Sequence, residues 1–279
     1  MKHETLSCIK KRHWRNFAMY PYEIIWGMGL YEICIAAGVI AALAIFRVLA
    51  ERRGMGAKYQ NFILITAFVS VVLGYISAVV FQAYYNYLES GVFEIRDNTG
   101  ATFLGGLIGG SAVFLLVYFG IGYFLFKGTS PRSPFAEFPV LQSIAGASIA
   151  AAHGLGRFGC FFAGCCHGIA SDSFLGMYMR VPGYKVIPVQ LYEAVFLLIL
   201  SAVIFVLLFR RKSFHYGLSI YMIAYGIWRF FIEYLRGDDR GAFLIRFLSP
   251  SQFTSLLLIV GGGVLLIVLL KKYGRKEEV

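Results

Sequence analysis

Two arginines, Arg157 and Arg236, and one glutamate, Glu193, stand at the ends of long apolar runs in this chain. A charged side chain deep in hydrocarbon costs at least about 2.5–3.5 kcal/mol, so such residues are paired or line a wet cavity. Arg157 lies in HGLGRFGCFFAGCCHG and Arg236 in WRFFIEYLRGDDRG, while Glu193 follows Gln190 and Tyr192 in PVQLYE. A guanidinium offers a planar fork that matches two phosphate oxygens at once. Arg157 and Arg236 therefore read as phosphate clamps. An alternative stays open, in which they pair with Glu193, Glu233 or Asp238 and only brace the bundle. Glu233 is the natural brace for Arg236, since residues three apart meet on one helix face.

Proton carriers are fewer. His153 precedes Arg157 by four residues and shares its face if helix continues, and His167 closes the cysteine-rich stretch. Cys160, Cys165, Cys166 and His167 place four soft ligands within eight residues, but C-x4-C-C-H is not a usual finger or ribbon spacing. Packed, inert thiols are the expectation there, with a disulfide as the alternative, and no metal or cofactor is expected. Cys8 and Cys34 read as small apolar residues. In LGGLIGG, Leu104 to Gly110, small residues allow close helix packing. A lipid headgroup approaching the backbone at Gly105 and Gly106 is the functional alternative.

The elements that must hold these residues are membrane spans. Of 279 residues 58% are apolar and 15% charged, with mean hydropathy +0.69. A soluble domain carries roughly 25% charged residues, so lipid has to solvate the surplus. Runs of roughly 20 apolar residues cross the hydrocarbon core. Seven are predicted, at 22–46, 62–88, 103–126, 138–156, 188–209, 217–235 and 251–270. The fold class is an all-α integral membrane bundle of about seven transmembrane helices, with an embedded outer-side loop over 157–187. Residues 1–21 form a basic segment lying along the interface, 22–270 the transmembrane domain and 271–279 a cytoplasmic tail. The first 20 residues lack the apolar core of a cleavable signal.

The net charge of +11 is split into short clusters between spans, which suits anionic headgroups and excludes nucleic acid as partner. Arg47, Arg52, Arg53 and Lys58, then Lys127 and Arg132, then Arg210, Arg211 and Lys212, then Lys271, Lys272, Arg275 and Lys276 fall in alternate loops. Cytoplasmic loops are enriched in such residues. The N-terminus is accordingly expected outside and the C-terminus inside.

The order and spacing of these motifs resemble the prolipoprotein diacylglyceryl transferase family. FLGGLIGG is similar to its histidine-plus-glycine motif, GRFGCFFAGCCHG to its signature, PVQLYEA to its Pro-x-Gln-Leu-Tyr-Glu segment and WRFFIEYLRGDD to its Arg-Phe…Glu-Phe-x-Arg segment. YEIIWGMGLYEICIAAG resembles its first span and SPSQFTSLLLIVGG its last. The resemblance implies a bacterial cytoplasmic-membrane enzyme. It would move diacylglyceryl from phosphatidylglycerol to a lipobox cysteine of a prolipoprotein, with glycerol phosphate leaving. Arg157, Arg236, Gln190, Tyr192, Gly105 and Gly106 would bind substrate, and His167, His153 and Glu193, with Asp238 or Asp239, are the proton-transfer candidates. The chain departs from the family at Leu104, where a histidine stands, at Cys160 for an asparagine, and at Cys165 for a glutamate. A same-fold transferase with another acceptor, and a lipid-binding protein without turnover, remain as alternatives.

Overall fold

The computed structural model describes residues 29–91, 93–96, 99–127, 133–179, 182–211, 213–237 and 248–274. The expected interfacial segment 1–21, Asp238, Asp239 and residues 275–279 of the tail lie outside the described residues. Within them the order is α1 (Leu30–Arg52), α2 (Ala57–Ser90), α3 (Phe103–Leu116), a π turn (Val117–Ile121), α4 (Gly122–Leu125), α5 (Pro134–Ala163), β1 (Met177–Tyr178), β2 (Lys185–Val186), α6 (Val189–Arg210), α7 (Gly217–Ile232), a 3-10 turn (Glu233–Leu235) and α8 (Pro250–Tyr273).

Six of the helical stretches are long and apolar enough to cross a membrane: α1, α2, the run Leu104–Leu125, α5, α6 and α8. The span predicted at 217–235 is the shorter α7, with 16 residues, prolonged by its 3-10 turn. At 1.5 Å per residue α7 is about 24 Å long, short of the roughly 30 Å of hydrocarbon. The chain is a multi-pass membrane protein. Outward-facing Phe68, Leu116 and Phe124 are 70%, 72% and 76% exposed, surface that lipid solvates as water cannot.

The chain divides into two compact units, residues 53–139 and the remainder. In the first, α2 and α3 approach until their backbones touch. A Cβ on Gly74 would lie 3.0 Å from Gly110 Cα and 3.1 Å from the Gly106 carbonyl. Without a hydrophobic force between helices in lipid, such small-residue contact supplies the packing. Gly105 and Gly106, expected near a headgroup, face Phe81 and Ala78 of α2. Farther along, the Tyr118 hydroxyl donates to the Pro134 carbonyl at 2.9 Å and meets the Tyr59 hydroxyl at 2.5 Å.

In the second unit, Gly38 of α1 lies against Ala152 of α5, and Gly226 of α7 against Ser255 and Ile259 of α8. The start of α8 is set by a capping box. Ser249 Oγ accepts from the Gln252 amide at 3.1 Å, and Gln252 Oε1 accepts from the Ser249 amide at 3.0 Å. Arg52 lies over the Phe209 ring at 4.6 Å, and His215 packs 4.5 Å from Tyr273. The basic ends of α1, α6 and α8 thus gather at one end of this unit. The C-termini of α5 and α7 and the N-termini of α6 and α8 form the opposite end.

Candidate functional site

Helix α5 does not stop at 156, as the apolar run predicted, but continues to Ala163. Gly164, at φ 71, ends it in the left-handed conformation that only glycine adopts freely. Arg157 is therefore helical, one turn beyond His153. The embedded loop begins later than expected and includes a hairpin in which Met177 pairs with Val186 and Tyr178 with Lys185. It is strapped to the end of α7. The Ile169 amide donates to the Leu235 carbonyl at 2.9 Å, the Gly237 amide to the His167 carbonyl at 3.4 Å, and Gly168 bridges to Arg236. Backbone groups that lipid could not satisfy are met by protein.

This strapping brings the cysteines to both arginines. The sulfurs of Cys160, Cys165 and Cys166 lie within 4.8 Å of one another. Arg236 lies beside Cys166, and Arg157 beside Cys160. Hydrogen bonds from Cys160 and Cys165, with Arg236 adding to them against the effect of burial, hold the Cys166 thiol well below its usual range. The Cys165 thiol is pushed up by its hydrogen bonds to Cys160 and Cys166. Cys166 has φ 61, a left-handed backbone that is uncommon outside glycine.

Behind the thiols lies a buried ionic network. Arg157 Nε is 3.0 Å from Glu193 Oε2, and the Tyr225 hydroxyl donates to Glu193 Oε1 at 2.7 Å. Tyr225 also lies beside Arg157. Arg229 reaches Glu233 at 2.7 Å and donates to Ser251 at 2.8 Å, while Ser249 donates to Glu233 at 2.8 Å. Arg236 stands 3.9 Å from Glu233. The brace read from sequence, Glu233 to Arg236, is thus the looser one, and Glu233 is bound more tightly by Arg229. Arg229 escaped the sequence reading, although an arginine and a glutamate four apart in an apolar run signal a helix-face pair.

The remaining candidates divide. His153 sits within the network, its Nδ1 3.1 Å from the Tyr221 hydroxyl and its ring edge-on to Tyr225. His167 lies at the strap, its Nδ1 3.0 Å from the Gly168 carbonyl. A carbonyl only accepts, so Nδ1 carries the proton and Nε2 is the basic nitrogen. Gln190 and Tyr192, expected to bind substrate, hold the loop. Gln190 donates to the Cys165 carbonyl at 3.2 Å and Tyr192 to the Leu175 carbonyl at 2.6 Å.

Comparison with known sequences gives a consistent match. The profile of the prolipoprotein diacylglyceryl transferase family matches residues 19–268. A Clostridium perfringens protein named phosphatidylglycerol–prolipoprotein diacylglyceryl transferase 2 is 30% identical over 243 residues, 83% of this chain and 88% of that protein. The enzyme so named in Clostridium tetani is 30% identical over 235 residues, covering 81% and 87%, and that of Clostridioides difficile is 31% identical over 230, covering 80% and 83%.

Proposed function

Since this chain belongs to the prolipoprotein diacylglyceryl transferase family, a family of membrane transferases, we propose that it moves diacylglyceryl from phosphatidylglycerol to the cysteine thiol of a prolipoprotein. The observation that carries the reading is the meeting of Arg157 and Arg236 at one cluster, each beside a different member of the same three thiols. Two guanidinium groups converging there can take the oxygens of one phosphodiester and stabilise the charge that develops as glycerol phosphate leaves. The acceptor sulfur bonds to the glyceryl carbon, the carbon–oxygen bond to phosphate breaks, and the leaving oxygen keeps the electron pair. The thiol proton goes to a base, because the thiolate is the nucleophile.

His167 Nε2 is the best base among the described candidates, its other nitrogen being committed to a carbonyl. Glu193 acts instead as a positioning residue that holds Arg157 through an ion pair. The gathering of basic helix ends opposite this site supports an N-terminus outside and a C-terminus in the cytoplasm.

Purified protein in vesicles containing labelled phosphatidylglycerol, given a lipobox peptide, should form a thioether-linked diacylglyceryl peptide, and Arg157→Ala and Arg236→Ala should abolish it. No product beside an active relative would overturn this reading. Leu104 and the cysteines at 160 and 165 favour, as a second reading, another thiol acceptor. Release of glycerol phosphate with small thiols but not with peptide would identify it.

A further inference from the structure

Three sulfurs from two parts of the chain meet where the sequence spacing named no known metal motif. Cys160 comes from the last turn of α5, and Cys165 and Cys166 from the loop that folds back past Gly164. We propose that Cys160, Cys165 and Cys166 form a three-thiolate site for a thiophilic cation such as Zn²⁺, with Cd²⁺ as its spectroscopic substitute. The site lies outside the family function and does not rest on it.

Geometry makes the first case. A tetrahedral ion with sulfur ligands at about 2.3 Å sets sulfurs about 3.8 Å apart. The three sulfurs already lie within 4.8 Å of one another, so closure on an ion needs no more than about 1 Å of approach for any pair. The backbone that carries them is held. The Cys165 amide donates to the Cys160 carbonyl at 3.2 Å, Gln190 fixes the Cys165 carbonyl from the buried start of α6, and Gly168 and Ile169 are tied to the hairpin and to the end of α7. A site so pre-formed loses little on binding.

Charge makes the second. Three thiolates around a divalent cation carry a net charge of −1. In a partly buried position that charge needs compensation, and it is at hand in Arg236 on Cys166 and Arg157 beside Cys160. Sulfur selects Zn²⁺, Cd²⁺ or Cu⁺ over Mg²⁺ and Ca²⁺, which prefer oxygen. Among the described residues no histidine or carboxylate completes the group, so the fourth position is open, as in zinc sites that admit water or substrate.

The test uses the full chain, reduced, in detergent micelles and titrated with Cd²⁺. One ion per chain should bind, with a sulfur-to-cadmium charge-transfer absorption. Zn²⁺ should displace it and Mg²⁺ should not. Cys160→Ser and Cys166→Ser should each weaken binding at least 100-fold, and Cys34→Ser should leave it unchanged. In the wild type, bound Zn²⁺ should protect three thiols from alkylation and leave Cys34 as reactive as before, which guards against misfolded variants. Absence of the absorption, its persistence when all three cysteines are serine, or alkylation unaffected by Zn²⁺ would overturn the proposal.

Discussion

Replacing Glu193 by glutamine removes one charge from the centre of the unit while leaving its volume nearly unchanged. The carboxylate is fully buried and Arg157 is 16% exposed, with 3.0 Å between their nearest atoms. At an effective dielectric constant of about 20 the attraction is about 5.5 kcal/mol, and breaking such a pair on one side costs about 3–5 kcal/mol because a buried charge is left alone. The residual exposure of Arg157 points to the lower end, about 3 kcal/mol. Tyr225→Phe removes a hydrogen bond to the same carboxylate and should cost about 1.5–3 kcal/mol. Because both losses fall on one group, the double variant should cost less than their sum by at least about 1 kcal/mol. Reversible unfolding in mixed micelles, followed by tryptophan fluorescence, measures all three. In vesicles, Glu193→Gln should raise KM for phosphatidylglycerol about tenfold, a loss of about 1.4 kcal/mol in binding. A cost below about 1 kcal/mol for Glu193→Gln, or additivity within about 0.5 kcal/mol, would refute the assignment of Glu193 as the residue holding Arg157.

Arg157→Lys and Arg236→Lys keep charge but lose the fork, and each should lower kcat/KM by about 30-fold, measured by product formation at fixed peptide. His167→Gln should lower kcat by about 10²–10⁴, whereas His153→Gln should leave kcat within about tenfold and lower thermal stability instead. Gly110→Leu drives a side chain into the Ser70 and Gly74 backbone and should lower the unfolding midpoint sharply, against almost no effect for Gly120→Ala, whose Cβ would meet nothing within 4 Å. Ser249→Ala should cost about 1 kcal/mol through loss of the capping box.

The spans were legible because hydrocarbon permits few alternatives: long apolar runs such as Val189–Arg210 have nowhere else to go. The end of α5 was not, since the stretch after 156 is rich in glycine and read as loop, although Gly159 serves close packing of the helix on α1. Arg157, Arg236 and Glu193 stood out as charges among apolar residues. What those charges touch was hidden, because the partner of Arg157 lies 36 residues on and that of Cys166 lies 70 residues on. Gln190 and Tyr192 were expected among the substrate ligands, and the folded loop adds that the Gln190 amide nitrogen donates to the Cys165 carbonyl and the Tyr192 hydroxyl to the Leu175 carbonyl.

The π turn at Val117–Ile121 has a bearing on phase. Gly106, Gly110 and Gly122 are spaced in multiples of four, and each faces α2, Gly122 lying against Phe62. In a straight α-helix, positions four apart rotate by about 40° per step, so Gly122 would stand about 160° away from Gly106. The wide turn absorbs one extra residue, setting the helix back by about 100°. Deleting a single residue from it would restore regular hydrogen bonding and leave Gly122 on the same face, whereas straightening it with every residue kept would swing Gly122 and the rings beyond it away from their neighbour. The irregular turn is thus what keeps one helix aligned with α2 along its whole length.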